Sequence, residues 1–408
     1  MKPQIILVDV SHIVGWRGNL TGIERVEYQL IKYYYKNTDA NFVCWDNENV
    51  CFRIASRKFV KRTIINRTSE TEQQSLGGLP GISVLKKIRH KLKLVAKTVS
   101  APIPEGEMII LAGLWDNQAY IDGIKKLSAN HTLIHVVYDM IPLIHKEYVV
   151  DFLPLVFGKY MHQTLPICKA IMAISKSTAK DTKRVLRGQN LNVPKIFSFR
   201  LGDDITRAKE IVKPKGIEGD FILSAGTIEA RKNHQLLYDA YKQLIATEPT
   251  APKLIIAGKR GWLTSDFQLK VDNNPDTKGR VIILDKTTDS ELRWLYENCL
   301  YTIFPSFYEG WGLPVAESLN YGKVTLSSDT SSMPEVGGEC VDYFSPYSTG
   351  ELLKLMRHYQ NKEALDKRSF YIKKNYKPVS WDKTSAEFAK LANKVYKVSN
   401  SERLSENS

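Results

Sequence analysis

Short apolar runs alternate with amphipathic stretches along most of the chain. In the first half, residues 5–10, 108–111, 133–138, 170–175 and 196–201 have the length and composition of strands. Between them, the segment from Gly22 onward sets Val26, Leu30 and Tyr33 along one side of a helix, and a second helix is expected over 177–186. The second half repeats this rhythm more regularly. Strands are predicted at 221–225, 254–257, 281–284, 301–305 and 324–327. Helices follow from Asn233 (with Leu237, Ala240, Tyr241 and Leu244 on one face), at 264–271, from Asp289, at Pro314 and over 349–359. Regular alternation of this kind predicts an α/β architecture with parallel sheets. The stretch 204–220 is polar, carries Pro214, Gly216 and Gly219, and reads as a linker. A last amphipathic run, 385–395, follows Trp381, and the tail 399–408 is polar and expected to fray.

A length of 408 residues supports two domains, each with its own core. The boundaries read as 1–205 and 215–378. No apolar run approaches the roughly 20 residues needed to cross a bilayer. The apolar Ile5-Ile-Leu-Val8 is too short for a signal-peptide core and runs into Asp9. The five cysteines are scattered and odd in number, which fits reduced thiols in the cytoplasm and not a disulfide frame. No Cys or His spacing suggests a metal site.

The net charge of +14 is uneven: residues 52–97 hold twelve Lys/Arg against Glu70 and Glu72. Leu85, Ile88, Leu92 and Val95 fall at helical spacing there, with lysines between them. Such a helix fits either an anionic membrane surface or the apolar flank of the first domain. No nucleic-acid recognition motif accompanies the charge, so nucleic acid is not expected as a partner.

The most specific string is Pro305-Ser-Phe-Tyr-Glu-Gly-Trp-Gly-Leu-Pro-Val-Ala-Glu317, where a strand stops and Pro314 opens a short helix that Gly322 closes. Glu309 sits at the strand end and Glu317 is placed in the first helical turn, with seven residues between them. The helix start offers free N–H groups to an anion. A second string, Ser224-Ala-Gly-Thr-Ile-Glu-Ala-Arg-Lys-Asn-His234, sets Gly226 and Thr227 at a turn and Arg231 and Lys232 before a helix that Asn233 could cap. Two cations at a helix entrance suit a diphosphate. Together these strings resemble the E-x7-E element and donor-domain opening of retaining nucleotide-sugar glycosyltransferases, specifically glycosyltransferase family 4.

That resemblance implies a GT-B fold: two Rossmann-like domains facing a cleft, with a terminal helix (381–398) crossing back onto the first. It implies that Arg231 and Lys232 neutralise the leaving diphosphate, Glu317 holds the ribose hydroxyls and Glu309 lies beside the transferred sugar. Gly310, Gly312 and Leu313 would bring backbone to the ligand. Where many family members carry Arg after the glycine, this chain has Thr227. In the first half, Thr21-Gly-Ile-Glu-Arg25 resembles the glycine-bearing loop at the cleft. There Gly22 allows close approach, and Arg25 either meets phosphate or forms a salt bridge. Tyr138-Asp-Met-Ile-Pro142 resembles a His-Asp-x-x-Pro turn with Tyr138 in place of His. Asp139 is thus a candidate beside the acceptor hydroxyl, or simply a turn-former. His135 reads as a strand residue.

The implied reaction is hexosyl transfer with retention and without an essential metal, since no D-x-D triplet is present. GDP-mannose is the favoured donor, and the acceptor is a glycan or lipid-linked glycan of bacterial surface-polysaccharide assembly (O-antigen or capsule) at the inner face of the cytoplasmic membrane. A UDP-sugar glucosyl- or galactosyltransferase is the nearer alternative. A catalytically silent, membrane-associated assembly subunit is the alternative of another class.

Overall fold

Two sheets organise the computed structural model, which describes residues 4–16, 20, 22–66, 98–99, 103–204 and 210–406. Thr21, the lysine-rich helix expected within 85–95, the 67–97 part of the basic window, linker residues 205–209 and the last two residues lie outside the described set.

The first sheet runs over β1 (Ile6–Asp9), β2 (Asn41–Asp46), β3 (Cys51–Ala55), β4 (Thr98–Val99), β5 (Glu107–Ile110), β6 (Thr132–Val137), β7 (Ala170–Ala173) and β8 (Lys195–Ser198). Its order is β4-β3-β2-β1-β5-β6-β7-β8. The expected parallel pairing holds from β2 to β8, but β3 and β4 form an antiparallel edge. Only Asn47–Val50 separates β2 from β3. The Asp46 carboxylate gathers the N–H groups of Glu48 and Asn49 and pairs with Arg53, so the chain reverses at once. A connection this short can join only antiparallel neighbours.

The second sheet comprises β9 (Phe221–Ala225), β10 (Lys253–Ala257), β11 (Val281–Leu284), β12 (Tyr301–Phe304), β13 (Val324–Ser328) and β14 (Asp342–Phe344). It is wholly parallel, in the order β11-β10-β9-β12-β13-β14. Strand order therefore reverses between β9 and β12. In such sheets, ligands bind outside the carboxyl ends of the strands at that switch point. β9, β12 and β13 are buried along their whole length, which explains their unbroken apolar or small side chains.

The chain passes between the two halves twice, at one place. Asp203 N–H donates to the Val379 carbonyl, and Val379 N–H and the Tyr376 hydroxyl both donate to the Asp203 carboxylate. Trp381 caps this crossing. Its indole N–H meets the Asp204 carbonyl at 3.1 Å, and a Cβ on Gly202 would lie 2.7 Å from its ring. The helix Trp381–Glu406 then lies on the first half. Phe388 packs edge-on to Tyr34 and Phe199, and Asn393 accepts from Gln4.

One edge of the cleft is bridged. Thr178 Oγ1 lies within hydrogen-bond range of both the Tyr138 and Gly310 carbonyls, at 3.1 and 3.2 Å. The Tyr308 hydroxyl donates to Asp181 at 2.6 Å. Tyr148 and Phe307 stack with ring centroids 5.1 Å apart, and the Trp262 indole N–H donates to the Tyr148 carbonyl. The Glu335 carboxylate accepts from the N–H groups of Lys176 and Ser177, seating an anion at the start of the Lys176–Gly188 helix.

Candidate functional site

A cavity of about 490 Å³ opens between the halves. All twelve site residues named from the sequence line it: Gly22, Arg25, Asp139, Gly226, Thr227, Arg231, Lys232, Glu309, Gly310, Gly312, Leu313 and Glu317. The elements explain the convergence. Gly226 and Thr227 leave β9, Glu309 and Gly310 follow β12, and Asp139 follows β6, so all emerge at carboxyl ends of parallel strands.

Glu309 is the centre of the charged cluster and is only 7 % exposed. Arg231 Nη1 donates to its Oε2 and Lys232 Nζ to its Oε1, each at 2.5 Å, while Ser306 Oγ reaches Oε1 at 2.8 Å. Burial opposes ionisation of Glu309, but the two cations and these hydrogen bonds outweigh it and hold the carboxyl down at about 2. The backbone here is equally fixed. Glu309 N–H donates to Ser331 Oγ, and Ser332 Oγ donates to the carbonyls of Glu309 and Trp311. Arg231 is held in turn by Glu229 and by the Tyr308 carbonyl.

Glu317 is placed differently from the sequence expectation. The helix spans Leu313–Asn320 with Gly312 as N-cap, so Glu317 is its fifth residue and lies beyond the first turn. The helix dipole does little for a carboxylate that far in. Arg25 supplies the countercharge from across the cleft, forming an ion pair with Oε1, and the Tyr296 hydroxyl donates to Oε2 at 3.2 Å. Burial raises the Glu317 carboxyl above its ordinary value, and Arg25 opposes that rise. Of the two readings for Arg25, the salt bridge is the one present. No side chain caps the Leu313 end of the helix, which faces the cavity.

Asn233 does not cap its helix either. It adopts a left-handed conformation, and its amide donates to the carbonyls of Pro305 and Pro346, tying the Lys232 turn to the loops after β12 and β14. Gly310 is required by packing between the halves: a Cβ there would sit 2.2 Å from the Tyr138 carbonyl oxygen. Gly312 has φ 110°, where other residues are strained.

Asp139 is half-buried at the turn after β6, and one oxygen accepts from Ile141 N–H at 3.0 Å. Burial raises its carboxyl and Arg231 opposes the shift. The turn role and the place on the cavity therefore coexist. His135 is the strand residue expected. It is buried in β6 against the Tyr160 hydroxyl, and burial pushes its imidazole down to about 4.

The sequence reading missed Glu229, Tyr296, Ser306, Ser331 and Ser332, which hold the charged side chains and their turn in place. Glu229 stands two residues before Arg231 in a string already singled out. Ser306 likewise lies inside the Pro305–Glu317 string, and the roles of the remaining three depend on which loops and helices meet. Lys259, Lys286 and Asp289 also line the cavity. Among the described residues, no group of three or more His, Cys, Asp or Glu side chains is placed to hold a metal ion.

Residues 207–376 match the family model described as glycosyl transferases group 1. The serotype-specific mannosyltransferase WbdA of Escherichia coli is 30 % identical over 244 residues, covering 58 % of this chain and 29 % of that protein. The O-antigen chain mannosyltransferase B of E. coli is 29 % identical over 187 residues, covering 44 % of this chain and 48 % of that protein. The chain thus spans less than half the length of these relatives. Among solved structures, sucrose-phosphate synthase from Thermosynechococcus elongatus superposes with a TM-score of 0.62 at 12 % identity, over 97 % of this chain and 100 % of that one. An E. coli trehalose-6-phosphate structure bound with UDP-2-fluoro glucose gives 0.61 at 11 % identity, over 95 % and 99 %. The chain has the GT-B architecture of two facing α/β domains, and the part of it that matches the glycosyl transferases group 1 model is the second domain, residues 207–376.

Proposed function

We propose that the protein transfers a mannosyl group, with retention of anomeric configuration, from GDP-mannose to a glycan or lipid-linked glycan acceptor in surface-polysaccharide assembly. The observation that carries this reading is the cluster of Arg231, Lys232 and Glu309 beside an uncapped helix start on one cavity. As the bond from sugar to phosphate breaks, negative charge grows on the departing diphosphate. Fixed cations and amides stabilise that charge more in the transition state than before it. Glu309, ionised and locked, faces the sugar, and Glu317 accepts from the ribose hydroxyls. Asp139 lies where the acceptor hydroxyl arrives. A leaving phosphate can itself take the acceptor proton, so the mechanism requires no dedicated base. Arg231 and Lys232 take the charge-neutralising role that a divalent ion would otherwise have.

Mannose is favoured because WbdA and the O-antigen chain mannosyltransferase B are mannosyltransferases by name. The reading places the protein in the cytoplasm, at the inner membrane face, drawn there by the basic window 52–97. No helix among the described residues is long and apolar enough to cross a bilayer.

Thermal-shift measurements with GDP-mannose and UDP-sugars test the donor, followed by NMR of the product to read its anomeric configuration. Stabilisation by a UDP-sugar alone would replace the donor assignment. An inverted product would remove retention. Loss of activity in chelator with recovery on adding magnesium or manganese would overturn the metal-free step.

A further inference from the structure

The two walls of the cavity differ in chemistry. The second domain contributes Arg231, Lys232, Lys259, Lys286, Glu309 and Glu317, among others. The first domain contributes Glu24 and Arg25 from the helix start after Gly22, but over residues 112–174 every lining side chain except those of Tyr138 and Asp139 is apolar, and this stretch forms the first-domain wall. The helix Leu153–Thr164 supplies much of this wall, with Leu153, Phe157 and Met161 spaced four apart so that one stripe faces the cavity. Trp115 faces the cavity as well. Phe152 and Leu155, at the start of the same helix, are 65 % and 77 % exposed. This end of the helix is therefore apolar both toward the cavity and toward solvent.

A sugar ring brings hydroxyls that lose water on entry and need protein partners in return. This wall offers few. A hydrocarbon chain loses nothing there and gains by leaving water. We infer that the first-domain wall is a subsite for the hydrocarbon part of an amphiphilic acceptor, seated beside Asp139, and that Phe152 and Leu155 continue its apolar path to the outside. This rests on the glycosyl-transfer reading of the cleft and narrows its acceptor class to a sugar or alcohol carrying an aliphatic chain.

The test compares hexyl and methyl α-mannosides, and the same pair of α-glucosides, by calorimetry and tryptophan fluorescence on the full chain. Each methylene fully removed from water is worth roughly fourfold in affinity. The hexyl compounds should bind at least tenfold tighter than the methyl ones, whichever sugar carries the chain. Trp115→Phe should remove most of the fluorescence response. Leu153→Ser, at a half-buried position, should erase the chain-length preference without altering nucleotide-sugar binding measured on the same samples. Equal affinity for hexyl and methyl compounds would overturn the inference, as would no saturable hexyl binding. Tighter binding of a chain-free mannotriose than of hexyl mannoside would also overturn it and mark the wall as a glycan site. Retained nucleotide-sugar binding in any of those outcomes would leave the transferase reading standing; loss of nucleotide-sugar binding with chain preference intact would sink that reading alone.

Discussion

Arg231 joins Glu309, Glu229 and the Tyr308 carbonyl, so it is oriented before any substrate arrives. Preorganisation of this kind is what makes one donor worth about 3 kcal/mol to a developing anion. Arg231→Ala is expected to lower kcat by about two to three orders of magnitude, with a smaller change in KM. Arg231→Lys should recover part of the loss, since charge returns without the fork geometry. Steady-state kinetics with the preferred donor will show whether the loss falls on kcat. The acid side has a pH signature. The Glu309 carboxyl in the folded protein lies at about 2, below its ordinary 4.5, so its ionised form stabilises the fold above 4.5, and this contribution is lost as pH falls toward 2. Glu309→Gln should therefore melt lower than the parent at neutral pH, and the gap should narrow as the solution is acidified through that window. A gap independent of pH would detach the stabilisation from this ionisation. Arg231, Lys232 and Glu309 were legible in the sequence because each stands in a short string with a defined local context. Their mutual contact was not, since it joins residues 78 positions apart.

At the scale of elements, the strands of the second half could be read almost directly because they are short, apolar and flanked by turn residues. The β2–β3 hairpin escaped notice. Its strands mix Trp45 and Phe52 with Asp46 and Arg53, and the hairpin is identified by a side-chain-directed turn and not by apolar periodicity. The Glu317 helix shows a different gap. Pro314 marked its start correctly to within one residue, yet that one residue moved Glu317 out of the first turn and made its countercharge a tertiary matter. The turn carrying Glu309 also depends on packing that no local pattern announces. Gly310→Ala would drive a methyl group into the Tyr138 carbonyl, a clash between backbone segments that neither side chain can relieve. Overpacking of this sort costs about 1–3 kcal/mol. The larger expected effect is on kcat/KM, down about a hundredfold, because a shift near 1 Å in a reacting group has that consequence. Parallel melting and kinetic measurements separate the two, and unchanged kinetics would show that the loop absorbs the methyl group.

A terminal helix, two adjacent chain crossings and the contacts bridging the cleft edge join the two halves. Composition and alternation indicated two α/β halves, but the return of 381–398 onto the first half came only through resemblance. The structure gives that return a physical basis in Phe388 between Tyr34 and Phe199, and in Trp381 over Gly202. Trp381 is buried and both its N–H groups are satisfied by Asp204. Trp381→Ala should cost about 3–5 kcal/mol, read as a lower denaturant midpoint or as a separate early transition in which the terminal helix releases first. An unchanged unfolding curve would mean that the helix is anchored by its other contacts alone.

Because the polypeptide passes from one half to the other and back at a single spot, a lone peptide-bond cut in either strand there leaves the other still joining them. The nicked molecule would travel as one particle. Asp203 and Val379 also clasp each other there, with one hydrogen bond from the Asp203 N–H to the Val379 carbonyl and another from the Val379 N–H to the Asp203 carboxylate.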